Sequence, residues 1–167
     1  MLDTALPPIL GERPRILILG SMPGQDSLKT QRYYAHPQNS FWWIMSEVYK
    51  FEPSLDYSKR CAALIKAGVA VWDVLHQCRR QGSLDSAIER ETEVANDFTA
   101  FFEAQLSIKS VLFNGAASSK LFKRHCAAEL ENQSIKIFQV PSTSPAYAAM
   151  SRQRKLEIWR QSLQESL

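Results

Sequence analysis

The chain is poor in cysteine, and its cysteines are badly placed for metal or disulfide chemistry. Its 167 residues include three cysteines. Cys61, Cys78 and Cys126 lie far apart and form no Cys-x-x-Cys pair. An odd count at such spacing argues against structural zinc, an iron–sulfur cluster or a disulfide framework, and for three reduced thiols. The His-x-Glu and Pro-Cys-x-x-Cys signature of zinc deaminases is also missing. Apolar runs are short, Val69–Trp72 being typical, and none approaches the roughly 18 residues needed to cross a bilayer. The stretch from Met1 to Pro8 has no basic region followed by an apolar one. No secretion signal is therefore expected, and the cytoplasm is the expected location. No repeat, low-complexity tract or linker interrupts the sequence, which reads as one domain over residues 1–167. Neither a cofactor nor a metal is expected.

What is present is ordinary globular material. Hydrophobic residues make up 45% and charged residues 22%, enough for a sizeable core. The net charge of +3 and pI of about 8.8 permit an acidic partner without demonstrating one. Only clustering of the basic residues on one face would do that.

Short apolar runs alternate with helical patterns. Arg15–Leu19, Val69–Trp72, Ser110–Phe113 and Ile135–Val140 read as buried strands. Between them, helical spacing appears from Asn39 to Tyr49, from Tyr57 to Ala67, from Asn96 to Leu106 and from Ala116 to Leu130. A last helix carries Leu156, Trp159 and Leu163 on one face. Ser21 to Gln38 and the stretch around Arg79, Arg80 and Gly82 read as loops. The expected fold is α/β: three layers, α/β/α, around a central, mainly parallel four-stranded sheet. Ligands on such sheets sit beyond the C-terminal strand ends. Here those ends carry Gly20-Ser21-Met22-Pro23-Gly24, Asp73, Asn114 and Pro141 to Pro145, so the polar, Gly- and Pro-rich segments should share one rim.

Each segment has two readings. Ser21, Met22, Pro23 and Gly24 form a bare turn or present backbone N–H groups to a ligand. The turn lacks the lysine of a P-loop and the spacing of a dinucleotide fingerprint. Asn39 either caps the helix that starts there or acts in chemistry. His36, before Pro37, is a loop histidine or a site residue, and Phe41 and Trp42 are core or cavity wall. Asp73 closes a strand as a cap or reads a ligand edge. Asn114, followed by Gly115, is a turn residue or a ligand contact. Arg152, Arg154 and Lys155 open the last helix as a solvated face or lie beside phosphates.

The sequence Gly20-Ser21-Met22-Pro23-Gly24, then Ala35-His36-Pro37-Gln38-Asn39-Ser40-Phe41-Trp42, then Pro141-Ser142-Thr143-Ser144-Pro145-Ala146 resembles the uracil-DNA glycosylase superfamily. The form of the first and last motifs is most similar to its hypoxanthine (deoxyinosine) branch. The likeness runs from about residue 14 to 160. It implies a metal-independent DNA-repair enzyme that everts a deaminated base and hydrolyses its glycosidic bond, and a monomer acting on DNA with deaminated bases is the expectation. It also implies that Asn39 positions the attacking water. Phe41 would stack on the base, and Asp73 would read its edge, with Ser21 to Gly24 and Asn114 around it. Ser142, Thr143, Ser144, Pro145, Tyr147 and Arg152 would hold DNA, with Tyr147 or Met150 as the wedge. The chain departs from the mismatch-specific branch at Met22, where those relatives carry a catalytic Asn. The alternatives are a uracil or mismatch glycosylase, a non-catalytic nucleic-acid binder, or a hydrolase of free nucleosides.

Overall fold

The computed structural model describes residues 1–131 and 133–167. Four strands, β2 (Ile16–Gly20), β3 (Val69–Asp73), β6 (Ser110–Asn114) and β7 (Lys136–Val140), form an all-parallel sheet in the order β3-β2-β6-β7. The central strands β2 and β6 are buried along their whole length, as expected when helices cover both faces. Strand side chains alternate between the faces. Ile16, Ile18, Val69 and Val71 pack beneath α2 (Phe41–Tyr49), α3 (Tyr57–Lys66) and α7 (Arg152–Glu165). Leu17, Leu19, Ala70 and Val111 pack beneath α4 (Phe98–Ala104) and α5 (Ala116–Cys126). The three-layer expectation is met. All four strands were anticipated to within one residue at either end.

The differences fall where an element buries little. A helix, α1 (Gln25–Thr30), interrupts the expected loop after β2, with only Ser27 buried. It has no apolar face to announce it. A second sheet joins β1 (Leu2–Thr4), β4 (Leu75–Arg79) and β5 (Val94–Ala95). In β4 only Leu75 and Cys78 are buried, so the strand reads as polar loop. Its partners have three and two residues, too few to show a period. The expected helix from Ala116 to Leu130 is divided at Ala127, with α6 (Ala128–Glu131) following α5. The helix expected from Asn96 starts at Phe98, because the Asp97 side chain accepts the Ala100 N–H.

On the first face, Trp159 of α7 is fully buried and meets Phe41 of α2 edge-on, with ring centroids 6.2 Å apart. Its indole N–H donates to the Pro141 carbonyl at 2.9 Å. One side chain thus ties the last helix to the helix beneath the site and to the loop leaving β7. Trp159→Ala should cost about 3–5 kcal/mol. Thermal denaturation should show this as a loss of about 10 °C in Tm.

Candidate functional site

Because the sheet is parallel, its strand ends deliver Gly20, Asp73 and Asn114 to one edge, and β7 feeds the Pro141 loop into the same place. A cavity of about 530 Å³ opens there, within the usual range of small-molecule sites. Its walls are Ser21 to Gly24, Tyr34, Asn39, Asp73 and Asn114, and two facing segments complete the mouth: Ser83 to Ser86, and Ser142 to Tyr147.

Asp73 is 3% exposed at the end of β3. A Cβ on Gly20 would stand 2.4 Å from Asp73 Oδ1 and 3.1 Å from the Tyr34 hydroxyl. Gly20 is therefore required by close approach: its bare Cα makes room for the carboxyl. Asp73 Oδ2 and the Tyr34 hydroxyl are both buried with no hydrogen-bond partner among the described residues. Buried polar atoms normally find partners, so two orphans beside one cavity point to a ligand that supplies them. Burial pushes the Asp73 carboxyl up to about 7, with the nearby Asp85 charge adding to the rise and Arg80 opposing it. Burial, aided by the Asp73 charge, also raises the Tyr34 hydroxyl, which stays protonated and able to donate.

Tyr34 corrects the assignment of Phe41. Phe41 is fully buried and does not line the cavity. Tyr34 lies over it with ring centroids 4.0 Å apart, nearly parallel, and presents the aromatic surface to the cavity instead. Phe41 is the floor under the platform. Tyr34 also has a left-handed backbone, φ 53°, a conformation that costs a non-glycine residue and gathers at functional sites. The available signal was position: an aromatic pair directly before Ala35-His36-Pro37.

Asn39 lines the cavity, and its Oδ1 accepts the Phe41 N–H at 2.9 Å. Capping and chemistry are compatible here. An amide oxygen has a second lone pair, and the capping bond fixes where it points. His36 Nδ1 accepts the Gln38 N–H at 3.1 Å, the loop-histidine reading, although His36 also reaches the cavity wall.

Asn114 binds Thr143 with both ends of its amide. Its Nδ2 donates to Thr143 Oγ1 and its Oδ1 accepts the Thr143 N–H, each at 3.0 Å. Asn114 therefore holds the loop as well as lining the cavity. Thr143, expected at DNA, is 1% exposed, and its carbonyl accepts the Ser40 N–H at 3.0 Å. It is an internal strut, because both polar ends of the residue are engaged. Ser142 and Ser144 accept the N–H groups two residues on, which shapes the loop, and Pro145 and Tyr147 are exposed at the mouth. Lys155 is not a surface cation: it is 4% exposed, donates to the Ser144 carbonyl at 3.3 Å and sits by the Tyr147 ring. Arg154 pairs with Glu157 on the exposed helix face. Arg152 lies over the Trp43 ring at 3.9 Å and not at the cavity. Met150 is partly buried.

Met22 is 6% exposed, shared between the core and the cavity wall. The Ser21 hydroxyl donates to Asp85 Oδ1 at 2.6 Å. Asp85, like Ser83, comes from the segment after β4, which sequence reasoning passed over as loop. No group of three or more His, Cys, Asp or Glu side chains is arranged for metal among the described residues. Nor is any helix there long and apolar enough to cross a membrane.

Fold and site together define a three-layer α/β protein with an aromatic-floored, carboxyl-bearing slot at the C-terminal sheet edge. The chain belongs to the uracil DNA glycosylase superfamily, whose family model matches residues 7–164. It is 35% identical over 121 residues to a hypoxanthine DNA glycosylase of Methanosarcina barkeri, covering 72% of this chain and 75% of that one. It is 30% identical over 158 residues to a hypoxanthine DNA glycosylase of Methanosarcina acetivorans, covering 94% and 96%. A solution NMR structure from Methanosarcina acetivorans, described as a candidate uracil DNA glycosylase, superposes with a TM-score of 0.82 at 29% identity. The match covers 99% of each chain.

The raised Asp73 carboxyl has a thermodynamic consequence. Its folded value, about 7, lies above the ordinary 3.8. The folded state therefore holds the extra proton between these values, and stability falls as pH rises through that window. The rise corresponds to about 4 kcal/mol in favour of a neutral side chain at this position over the ionised carboxylate. The Tm of Asp73→Asn, relative to the unaltered protein, should therefore climb by several degrees between pH 4.5 and pH 8. A gap independent of pH would show that Asp73 ionises normally.

Proposed function

We propose that the protein is a monofunctional DNA glycosylase that releases hypoxanthine from deoxyinosine and leaves an abasic site. The observation that carries this reading is the buried, unpartnered carboxyl of Asp73 facing the Tyr34-floored cavity. The family supplies the reaction class, and the two curated relatives are named for hypoxanthine.

A glycosidic bond in a stacked duplex is out of reach, so the nucleotide is everted at a cost of a few kcal/mol, least for a poorly paired base. The purine stacks on Tyr34. Ionised Asp73 accepts hydrogen bonds only. It favours hypoxanthine, whose N1–H donates, and repels adenine, whose N1 carries a lone pair. A site built around a buried polar group rejects a base that leaves it unpaired by roughly 10⁴-fold or more. Cleavage moves the C1′–N9 electron pair onto the base and leaves an oxocarbenium-like sugar, as in other glycoside hydrolyses. Asn39 Oδ1 accepts a hydrogen bond from the water that adds to C1′. An amide is a weak base, so the base departs largely before the water loses its proton, and that proton ends on the departed hypoxanthine anion, which leaves as the neutral base. No step in this scheme uses a metal. The exposed Pro145 and Tyr147 meet the duplex at the mouth. The Arg152 guanidinium, held on Trp43, faces a phosphate, and the protein acts as a monomer.

The direct test incubates pure protein with duplexes carrying hypoxanthine, uracil, xanthine or normal bases, followed by alkali to reveal abasic sites. Strand breaks at hypoxanthine above all others are expected, and none at any base would reject the activity. Asn39→Ala should lower single-turnover cleavage at least about 100-fold while changing DNA affinity only a few-fold. Asn39→Ser keeps a capping oxygen, so it should regain stability without regaining rate. Equal losses of rate and affinity in both would reduce Asn39 to a cap.

Selectivity should also depend on pH. Below about 7 the Asp73 carboxyl is protonated and can donate to adenine N1. The preference for hypoxanthine over adenine, measured as a ratio of cleavage rates, should therefore fall from pH 8 to pH 6. In Asp73→Asn the ratio should be small and flat across that range.

A further inference from the structure

Buried against the Pro23–Gly24 turn, and not among the residues that line the cavity, lies an arginine that the reaction as described does not use. The Arg80 side chain is wholly buried. Its Nη2 donates to the Pro23 carbonyl in a short hydrogen bond, and its Nη1 donates to the Ser83 carbonyl at 3.4 Å. Its nearest carboxylate is Asp3, 3.7 Å away on β1, and its Nε has no partner among the described residues. Gln25 braces the same assembly. Its side chain donates to Asp3 at 3.0 Å and to the Gly82 carbonyl at 2.9 Å, and its backbone N–H donates to Ser83 Oγ at 2.9 Å. A guanidinium buried with a loose ion pair and an idle N–H is a costly way to fill space, since an apolar side chain of similar volume stabilises as well or better.

The partner of its best bond explains its presence. The Pro23–Gly24 peptide is trans, and no cis peptide occurs among the described residues. In a trans peptide the carbonyl and the following N–H point in opposite directions. With the Pro23 carbonyl turned down onto Arg80, the Gly24 N–H is turned away from it. Pro23 and Gly24 line the cavity and Arg80 does not. The Gly24 N–H meets no protein acceptor among the described residues. We infer that Arg80 is a positioning residue. It clamps the Pro23 carbonyl so that the Gly24 N–H is aimed into the cavity as a fixed donor to the negative charge that gathers on the departing base. The guanidinium also polarises the peptide it holds, which makes that N–H a stronger donor. β1 serves the site through the same chain of contacts, because Asp3 orients both Arg80 and Gln25. This inference rests on the glycosylase reading. It predicts an effect on bond cleavage and little on substrate binding, since charge on the base develops only as the bond breaks.

The test compares Arg80→Met and Arg80→Lys with the unaltered protein, each well below its own melting temperature. Three quantities are read: the single-turnover rate of hypoxanthine release, the Kd for a duplex with a non-hydrolysable deoxyinosine analogue, and the Gly24 amide signal in a ¹H–¹⁵N spectrum with abasic duplex and free hypoxanthine. Arg80→Met should lower the rate roughly 100-fold, the size of effect seen when one such donor is lost, with Kd changed less than about threefold. Arg80→Lys keeps a donor for the Pro23 carbonyl and should recover part of the rate. The Gly24 proton should shift downfield on forming the complex in the unaltered protein and stay put in Arg80→Met. A normal rate in Arg80→Met overturns the inference. So does a lost rate with the Gly24 shift intact, which would mark Arg80 as structural support only. If the unaltered protein releases no base, the glycosylase reading fails and takes this inference with it. Normal release with an indifferent Arg80 removes the inference alone.

Discussion

The carboxyl of Asp73 rests against the bare Cα of Gly20, and the cavity is organised around that contact. Adjacent parallel strands bring the two residues into register, Gly20 opposite Asp73. Any side chain at position 20 would occupy the place of Asp73 Oδ1. The register places the carboxyl in a buried position, where burial drives it toward its neutral form. Left without a protein partner, the group favours whatever ligand can satisfy it. In the proposed function, the stability given up to bury Asp73 is the source of selectivity, a common trade at active sites.

Around that contact, polar side chains divide into those that face the ligand and those that hold the wall. Asn114, Thr143 and Lys155 belong to the wall. Asn114 and Thr143 bind each other at both polar ends, and Lys155 supports the Ser144 carbonyl. Asn39 has a share in both, since the Phe41 N–H that it caps also fixes the direction of its oxygen. Tyr34 is similarly dual. Its ring is the platform, its hydroxyl is an orphan beside Asp73, and its backbone is held in a left-handed conformation. In the proposed function, a base entering this slot meets surfaces whose geometry is set before it arrives, which is what electrostatic stabilisation of a short-lived charge requires.

The small antiparallel sheet ties peripheral structure to the cavity wall. Strands β1 and β4 bury few side chains, yet they carry Asp3 to Arg80 and bring the Ser83–Ser86 segment over the turn after β2. The Ser21–Asp85 and Gln25–Ser83 hydrogen bonds fasten that segment down. Residues far apart along the chain thereby share one wall.

The sequence by itself determined the four central strands, their order of appearance and the rim on which the motifs meet. These follow from hydrophobic period and from the geometry of parallel sheets, both local or nearly so. It also showed that Asn39 and Asp73 stand at element ends. Only the tertiary structure decided which aromatic faces the cavity: Phe41 and Tyr34 look alike as sequence, and stacking puts one beneath the other. It likewise decided that Thr143 and Lys155 turn inward, that Asn114 is bound to a loop 29 residues away, and that Arg80 is buried. Sequence specifies which polar groups exist. Their availability depends on partners brought together by long-range packing, and no local pattern records that.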